Sequence, residues 1–298
     1  MKTKEKVRYK KMQAVAIVVL SIMMVLIILP FLLMFMSSLT EEKTLMLDGY
    51  KILPAKYSLE AYRYIFLSSA KIFVSYGRSA IVTLIGTACA LTITLLMAYP
   101  LSRRDFRFRK VMAFLVFFTM LFNGGLVSQY MMWATIFQIK NTLFAYLLPN
   151  LMMSAFNVMI VRNFFTNNIP FEIIESATID GSGEWNTFFR IVLPMAKPII
   201  ATIGLMIALA YWNDWTNGLY YISDASKYTF QNLLNRMIQQ INFLSSGEAS
   251  QYGAVNLTVP SISVRMAIAA VGVIPVMIVY PFFQKYFAKG LTMGAVKG

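Results

Sequence analysis

Six apolar runs, at about 13–37, 79–101, 111–134, 142–162, 192–215 and 265–284, dominate this chain of 298 residues. About twenty apolar residues cross the hydrocarbon of a bilayer as a helix, and each run reaches or nearly reaches that length. The composition agrees, since 58% of residues are hydrophobic and only 13% are charged, against about a quarter charged in soluble domains. The expected fold class is an all-α polytopic membrane protein with six transmembrane helices. The basic start, Lys2 to Lys11, resembles the head of a signal peptide. Ala14 to Ser37 is longer than a signal core and lacks a clear small-x-small cleavage site, so it reads as a retained helix.

Lysine and arginine set the orientation. Lys2, Lys4, Lys6, Arg8, Lys10 and Lys11 precede the first run, and Arg103, Arg104, Arg107, Arg109 and Lys110 crowd the turn between the second and third. Both segments are expected in the cytoplasm. Six spans then place the C-terminus inside, with Lys285, Lys289 and Lys297, and the loop after the fourth run inside with Arg162, Arg190 and Lys197. Topology thus accounts for the net charge of +14, and no nucleic-acid partner is needed. The single cysteine, Cys89, has no partner and reads as packing; with no histidine, the commonest metal ligand and general base is missing.

A polar island from Phe171 to Pro198 separates the fourth and fifth runs. Pro170 suits a helix start, Glu172 and Glu175 fall in the early turns, and Phe171, Ile174, Ala177 and Thr178 recur at helical spacing. Asp180-Gly181-Ser182-Gly183 should end that helix, with Ser182 able to cap a second one that exits between Pro194 and Pro198. By charge alone the island is either a docking face or a solvated connection.

The spacing decides between these readings by resemblance. Glu175-Ser176-Ala177, three residues, Gly181, nine residues, then Ile191-Val192-Leu193-Pro194 resembles the EAA signature of bacterial ABC importer permeases, departing from it only at Ser176. The resemblance implies the type I ABC importer permease fold. It also implies a coupling loop (165–193) whose Glu175, Ser176, Ala177, Asp180, Gly181, Leu193 and Pro194 dock in a groove of a cytoplasmic ATPase. Residues 1–12 and 285–298 would be cytoplasmic tails around a permease domain of 13–284. The ending Gly290, Leu291, Thr292 through Lys297 and Gly298 is similar to that of maltose-type sugar permeases, where it extends toward the ATPase dimer. Arg265-Met266-Ala267 and Tyr280 to Phe287 resemble the branch that handles complex oligosaccharides.

Implied partners are a second, homologous permease in a heterodimer, two copies of the ABC ATPase, an extracytoplasmic solute-binding protein, the lipid bilayer and an oligosaccharide substrate. No cofactor binds this chain directly; ATP and Mg would belong to the ATPase. The residues agree in one respect, because the chain has no G-x-x-x-x-G-K-[ST] phosphate loop.

Neutral polar residues mark a candidate substrate path. Asn123, Asn157 and Thr202, with Trp212, Asn213, Asp214 and Trp215 nearer the outer end, offer hydrogen bonds and aromatic faces. The same residues would serve equally as helix-to-helix bonds and an interfacial belt. Asn123-Gly124-Gly125 should bend its helix. Outside, Ser58 can cap a surface helix to Phe66, and a polar segment carries Gln231, Asn232, Asn235, Gln239, Gln240 and Asn242, a turn at Ser245-Ser246-Gly247 and a sequon at Asn256-Leu257-Thr258. Two alternatives remain open: an ion-coupled sugar carrier, disfavoured because no run has a lysine, arginine, aspartate or glutamate in its central part, and a membrane sensor or scaffold.

Overall fold

The computed structural model describes residues 2–66, 69–245 and 261–292. Among these the chain is helical apart from turns and one isolated antiparallel bridge, Thr40 to Tyr57. It divides into two compact units, Met1–Ser69 with Arg236–Ile274 and Ala70–Asn235 with Pro275–Gly298. The expected turn at Ser246-Gly247, the sequon, and Lys297 and Gly298 lie outside the described residues.

In the first unit, α1 (Lys2–Ser38) exposes its side chains from Met12 to Leu32. Such a surface is stable only in lipid or against another apolar surface. The chain then turns back through α2 (Glu42–Asp48) to α3 (Glu60–Phe66), and Ser58 Oγ accepts the Glu60 N–H at 3.1 Å. The hydroxyls of Ser38 and Tyr62, 2.8 Å apart, tie α1 to α3. The Glu42 carboxylate accepts the backbone N–H groups of Ile262 and Ser263 and the Ser263 hydroxyl, at 2.9, 2.8 and 2.7 Å. It thereby caps the last helix, Ser261–Thr292, where free donors and the helix dipole favour an anion.

The second unit is built on α4 (Ser69–Ser102). It continues through α5 (Arg109–Leu121), α6 (Gly125–Met131), α7 (Phe144–Leu147), α8 (Ala155–Asn168), α9 (Phe171–Ile179), α10 (Glu184–Thr187), α11 (Leu193–Met195), α12 (Lys197–Trp212) and α13 (Thr216–Tyr221). Then come α14 (Phe230–Ser245) and α15 (Ser261–Thr292), each divided between the units. Val82, Ala90 and Ala98 of α4 form the core with Val158 and Val161 of α8 and Ile203 and Ile207 of α12. Gly86 lets α4 approach α12: a Cβ there would stand 2.5 Å from the Tyr211 ring, which is itself held by a 2.9 Å bond from its hydroxyl to the Leu147 carbonyl. Small residues at such crossings are how membrane helices pack closely.

Three of the six runs are not continuous helices. In the third, α5 and α6 meet at 112°. The Asn123 side chain accepts the Gly125 N–H at 2.9 Å and Gly125 takes φ +78°, so the expected bend is a full break closed by its own asparagine turn. In the fourth, a seven-residue turn with Pro149 and left-handed Asn150 (φ 62°) separates α7 from α8, which Ser154 caps. In the fifth, the helices from Glu184 to Met195 and from Lys197 to Tyr221 meet at 83°. Pro198 lacks the N–H that would bond back to Pro194, so the helix restarts there. Among the described residues three helices are individually long and apolar enough to span, Met12–Ser38, Lys71–Ser102 and Ile262–Pro281, and up to five are if each bent pair counts as one.

One further expectation is corrected. Cys89, read as packing, is exposed on α4. Beyond 285 the backbone continues as helix to Thr292.

Candidate docking loop and substrate path

The polar island is two short helices joined by a glycine turn. In α9, Ile174 and Ala177 are buried, while Glu172, Glu175 and Ser176 are exposed, giving the helix one anchored and one acidic face. Ser176 donates its hydroxyl to the Glu172 carbonyl at 2.8 Å, so it is engaged with its own helix. Asp180 closes α9, and Gly181 follows at φ +78°. The Ser182 N–H bonds the Ala177 carbonyl at 2.9 Å and the Gly181 N–H bonds Thr178 at 3.0 Å. This is the paired closure of a Schellman turn, and it fixes the angle at which the chain leaves α9.

Gly183 rather than Ser182 precedes α10; the Ser182 hydroxyl instead accepts the Asn186 amide at 2.8 Å and faces Thr187. A π turn over Phe188–Val192 then leads to Leu193, half-buried, and Pro194, exposed. Apolar groups border the acidic edge: Ile179 is 81% and Trp185 69% exposed, and Trp185 stacks on Phe189 with centroids 6.0 Å apart. These aromatic residues are absent from the sequence reading; their i, i+4 spacing beside the motif is the signal that could have found them.

The loop is braced to the end of α4. Glu184, at the start of α10, accepts the Tyr99 hydroxyl at 2.7 Å and the Arg103 guanidinium at 3.1 Å. Arg103 also bonds Asp105 at 2.9 Å, and its side chain is only 9% exposed. Arg104 lies over the Phe171 ring at 5.4 Å, and Arg162 Nε donates to the Leu101 carbonyl at 3.0 Å. Arg103 and Arg104, which the sequence presents as topology signals, are structural partners of the loop. Beside the brace, Leu96, Pro100, Phe106 and Phe188 help wall a cavity of about 480 Å3.

The expected path residues separate. Asn123 is exposed at the α5–α6 corner and bonds only within that corner, to Gly125 and Gln129. Asn157 is half-buried, its backbone N–H held by Ser154 Oγ. Asn213 caps α12 and is exposed, as is Trp215. Trp212 and Asp214 belong to a denser cluster. The Trp212 ring meets Tyr76 of α4 at 5.3 Å and Phe230 at 6.3 Å, and Tyr76 meets Phe230 at 5.2 Å. Asp214 Oδ1 accepts the Thr216 and Asn217 N–H groups, both at 3.1 Å, capping α13. Tyr146 bridges the Lys227 carbonyl and the Thr229 N–H at 3.2 Å, and Ser79 accepts the Phe230 N–H at 2.8 Å. Asn232 is fully buried against Gly218, where a Cβ would sit 2.6 Å from the amide. Nearby, Asn141 clamps the turn after α13, accepting the Ser223 and Asp224 N–H groups at 2.8 and 3.1 Å.

These features define a class: a helical, polytopic membrane protein that exposes a braced helix–turn–helix loop with an acidic edge. The chain belongs to the family of binding-protein-dependent transport system inner membrane components, whose model matches residues 90–293. It is a multi-pass protein of the bacterial cytoplasmic membrane. It is 41% identical over 271 residues to the polygalacturonan/rhamnogalacturonan transport system permease protein YtcP of Bacillus subtilis, covering 91% of this chain and 93% of that one. It is 38% identical over 272 residues to protein LplC of the same organism, covering 91% and 90%. Among solved structures it is similar to a bacterial ABC transporter involved in the import of the acidic polysaccharide alginate, with TM-score 0.77 and 28% identity, covering 93% of this chain and 97% of that one.

Proposed function

We propose that this chain is the transmembrane permease subunit of an ATP-driven ABC importer for an oligosaccharide. It forms half of a translocation path beside a second, homologous permease. Two copies of a cytoplasmic ATPase, carrying ATP and Mg, dock on the coupling loops of the two permeases, and an extracytoplasmic binding protein delivers the sugar. The six apolar runs cross the membrane as six spans, three of them broken, with both termini in the cytoplasm. The segment from Gly290 through Thr292 to Lys297 and Gly298 reaches toward the ATPase dimer. The names of the relatives, which include polygalacturonan, rhamnogalacturonan and alginate carriers, support the carbohydrate.

One observation carries the reading: the exposed edge of α9 with Glu175 is rigid with respect to α4. The Schellman turn at Gly181 fixes α9 to α10, and Glu184 fixes α10 to Tyr99 and Arg103. A force applied to Glu175, Ser176 and Asp180 therefore reaches a spanning helix, with buried Ala177 and half-buried Leu193 as the packed support and Pro194 exposed beside them. Rigid-body rocking of the permeases is the motion such a brace transmits. The test is purification of the tagged chain from its native membrane with mass spectrometry of what accompanies it. A second permease and an ABC ATPase are expected; recovery of the chain alone would contradict the proposal.

A further inference from the structure

In the second unit Arg78 lies on α4, 25 positions before Arg103. At about 1.5 Å per helical residue this separates them by a little more than the hydrocarbon thickness of a bilayer. Arg78 therefore sits at the end of α4 opposite the docking loop. Its side chain is half-buried, and the hydrogen bond it makes is from Nη1 to the Tyr228 carbonyl at 3.0 Å. Among the described residues no carboxylate pairs with it. A guanidinium carries five donors, so most of its capacity, and its whole charge, lie open to an anionic ligand.

Its surroundings suit a sugar. Tyr76, two residues earlier, is 38% exposed and stands edge-on to Trp212, so the two present aromatic faces of the kind that pack on sugar rings. Trp212 Nε1 and Asp214 Oδ2 are buried without a hydrogen bond. Asp214 already commits Oδ1 to the cap of α13, and Gly218 is the small residue that admits the Asn232 amide. Unmatched buried donors and acceptors cost stability unless a polar ligand or water meets them, and they cluster where binding is selected for.

We propose that Arg78, with Tyr76 and Trp212, forms a receiving site for the carboxylate of an acidic oligosaccharide, at the end of α4 remote from the coupling loop. The inference rests on the carbohydrate-importer reading and narrows it to uronate-containing substrates. Arginine binds a carboxylate through paired N–H donors, which lysine only partly reproduces and glutamine does not.

The test is equilibrium binding of labelled trigalacturonate, and of its neutral counterpart galactotriose, to the assembled complex in nanodiscs without the binding protein. Wild type should bind trigalacturonate more tightly than galactotriose. Arg78→Gln should lose about tenfold or more for trigalacturonate and leave galactotriose unchanged, and Arg78→Lys should fall between. Equal losses for both sugars would make Arg78 a support for the 228–230 segment only and overturn the site. So would no change for either. A complex that retains its ATPase yet binds neither sugar overturns the site and leaves the importer reading standing. A chain that assembles with no ATPase removes both.

Discussion

Tyr99 donates its hydroxyl to Glu184 at 2.7 Å, joining the last turns of α4 to the first turn of α10 across 85 residues of sequence. Arg103 meets the same carboxylate at 3.1 Å. Glu184 is 61% exposed, so the pair adds little stability, about 1 kcal/mol or less. Its role is geometric. Glu184→Ala should leave the melting temperature nearly unchanged while substrate-driven ATP turnover and uptake become uncoupled, uptake falling several-fold. Uptake and ATPase rates measured on the same proteoliposomes check this; equal, undiminished rates would contradict it.

Gly86 faces the Tyr211 ring too closely for any side chain, with three ring atoms at 2.5 to 2.8 Å from a built Cβ. The Leu147 carbonyl holds that ring through its hydroxyl, so it cannot swing away without losing a buried bond. Gly86→Ala should cost about 1–3 kcal/mol. Combining it with Tyr211→Leu should recover part of the loss, which a thermal double-mutant cycle in detergent reads directly.

Glu42 caps α15 through the N–H groups of Ile262 and Ser263. Glu42→Ala should cost about 1 kcal/mol and raise amide exchange in the first turn of α15. Unchanged protection at 262 and 263 would show that the cap is replaceable by water.

In the turn after α13, hydrogen bonds from the Ser226 hydroxyl and N–H, with Lys227 adding its charge, hold the Asp224 carboxyl below its usual range. The folded turn favours the charged form, so its contribution is complete above the ordinary value of 3.8 and declines only as the pH falls below it. Protection of the 222–227 amides, corrected for intrinsic exchange, should be level from about pH 8 to pH 5. A loss near pH 6 would contradict this account.

The membrane class and the docking motif are legible in the sequence because each is local. Apolar runs announce themselves by length, and Gly181 marks its turn because only a residue tolerant of φ +78° fits there. The breaks are harder to read. Pro149 and Pro198 look like those of a kinked span, and it is Asn150 in a left-handed conformation and the missing N–H of Pro198 that turn kinks into corners. The candidate path was the least legible part. Trp212 and Asp214 do join one cluster, but Tyr76, Arg78, Tyr146 and Asn232 reach it from α4, α7 and α14, and long-range convergence leaves no spacing in the sequence. Asn123 and Asn157 carry the right chemistry for a path, yet each is engaged in its own turn.

In the proposed importer the Glu175 face of α9 receives the ATPase. The measurement that tests it most directly is the amount of ATPase retained by tagged wild-type and Glu175→Lys chains purified in parallel from the native membrane. Glu175 is exposed and supports no packing, so the variant should insert and fold normally. The second permease should stay and the ATPase should be lost or reduced at least tenfold, with uptake abolished. Full retention of the ATPase and normal uptake in the Glu175→Lys chain would contradict it.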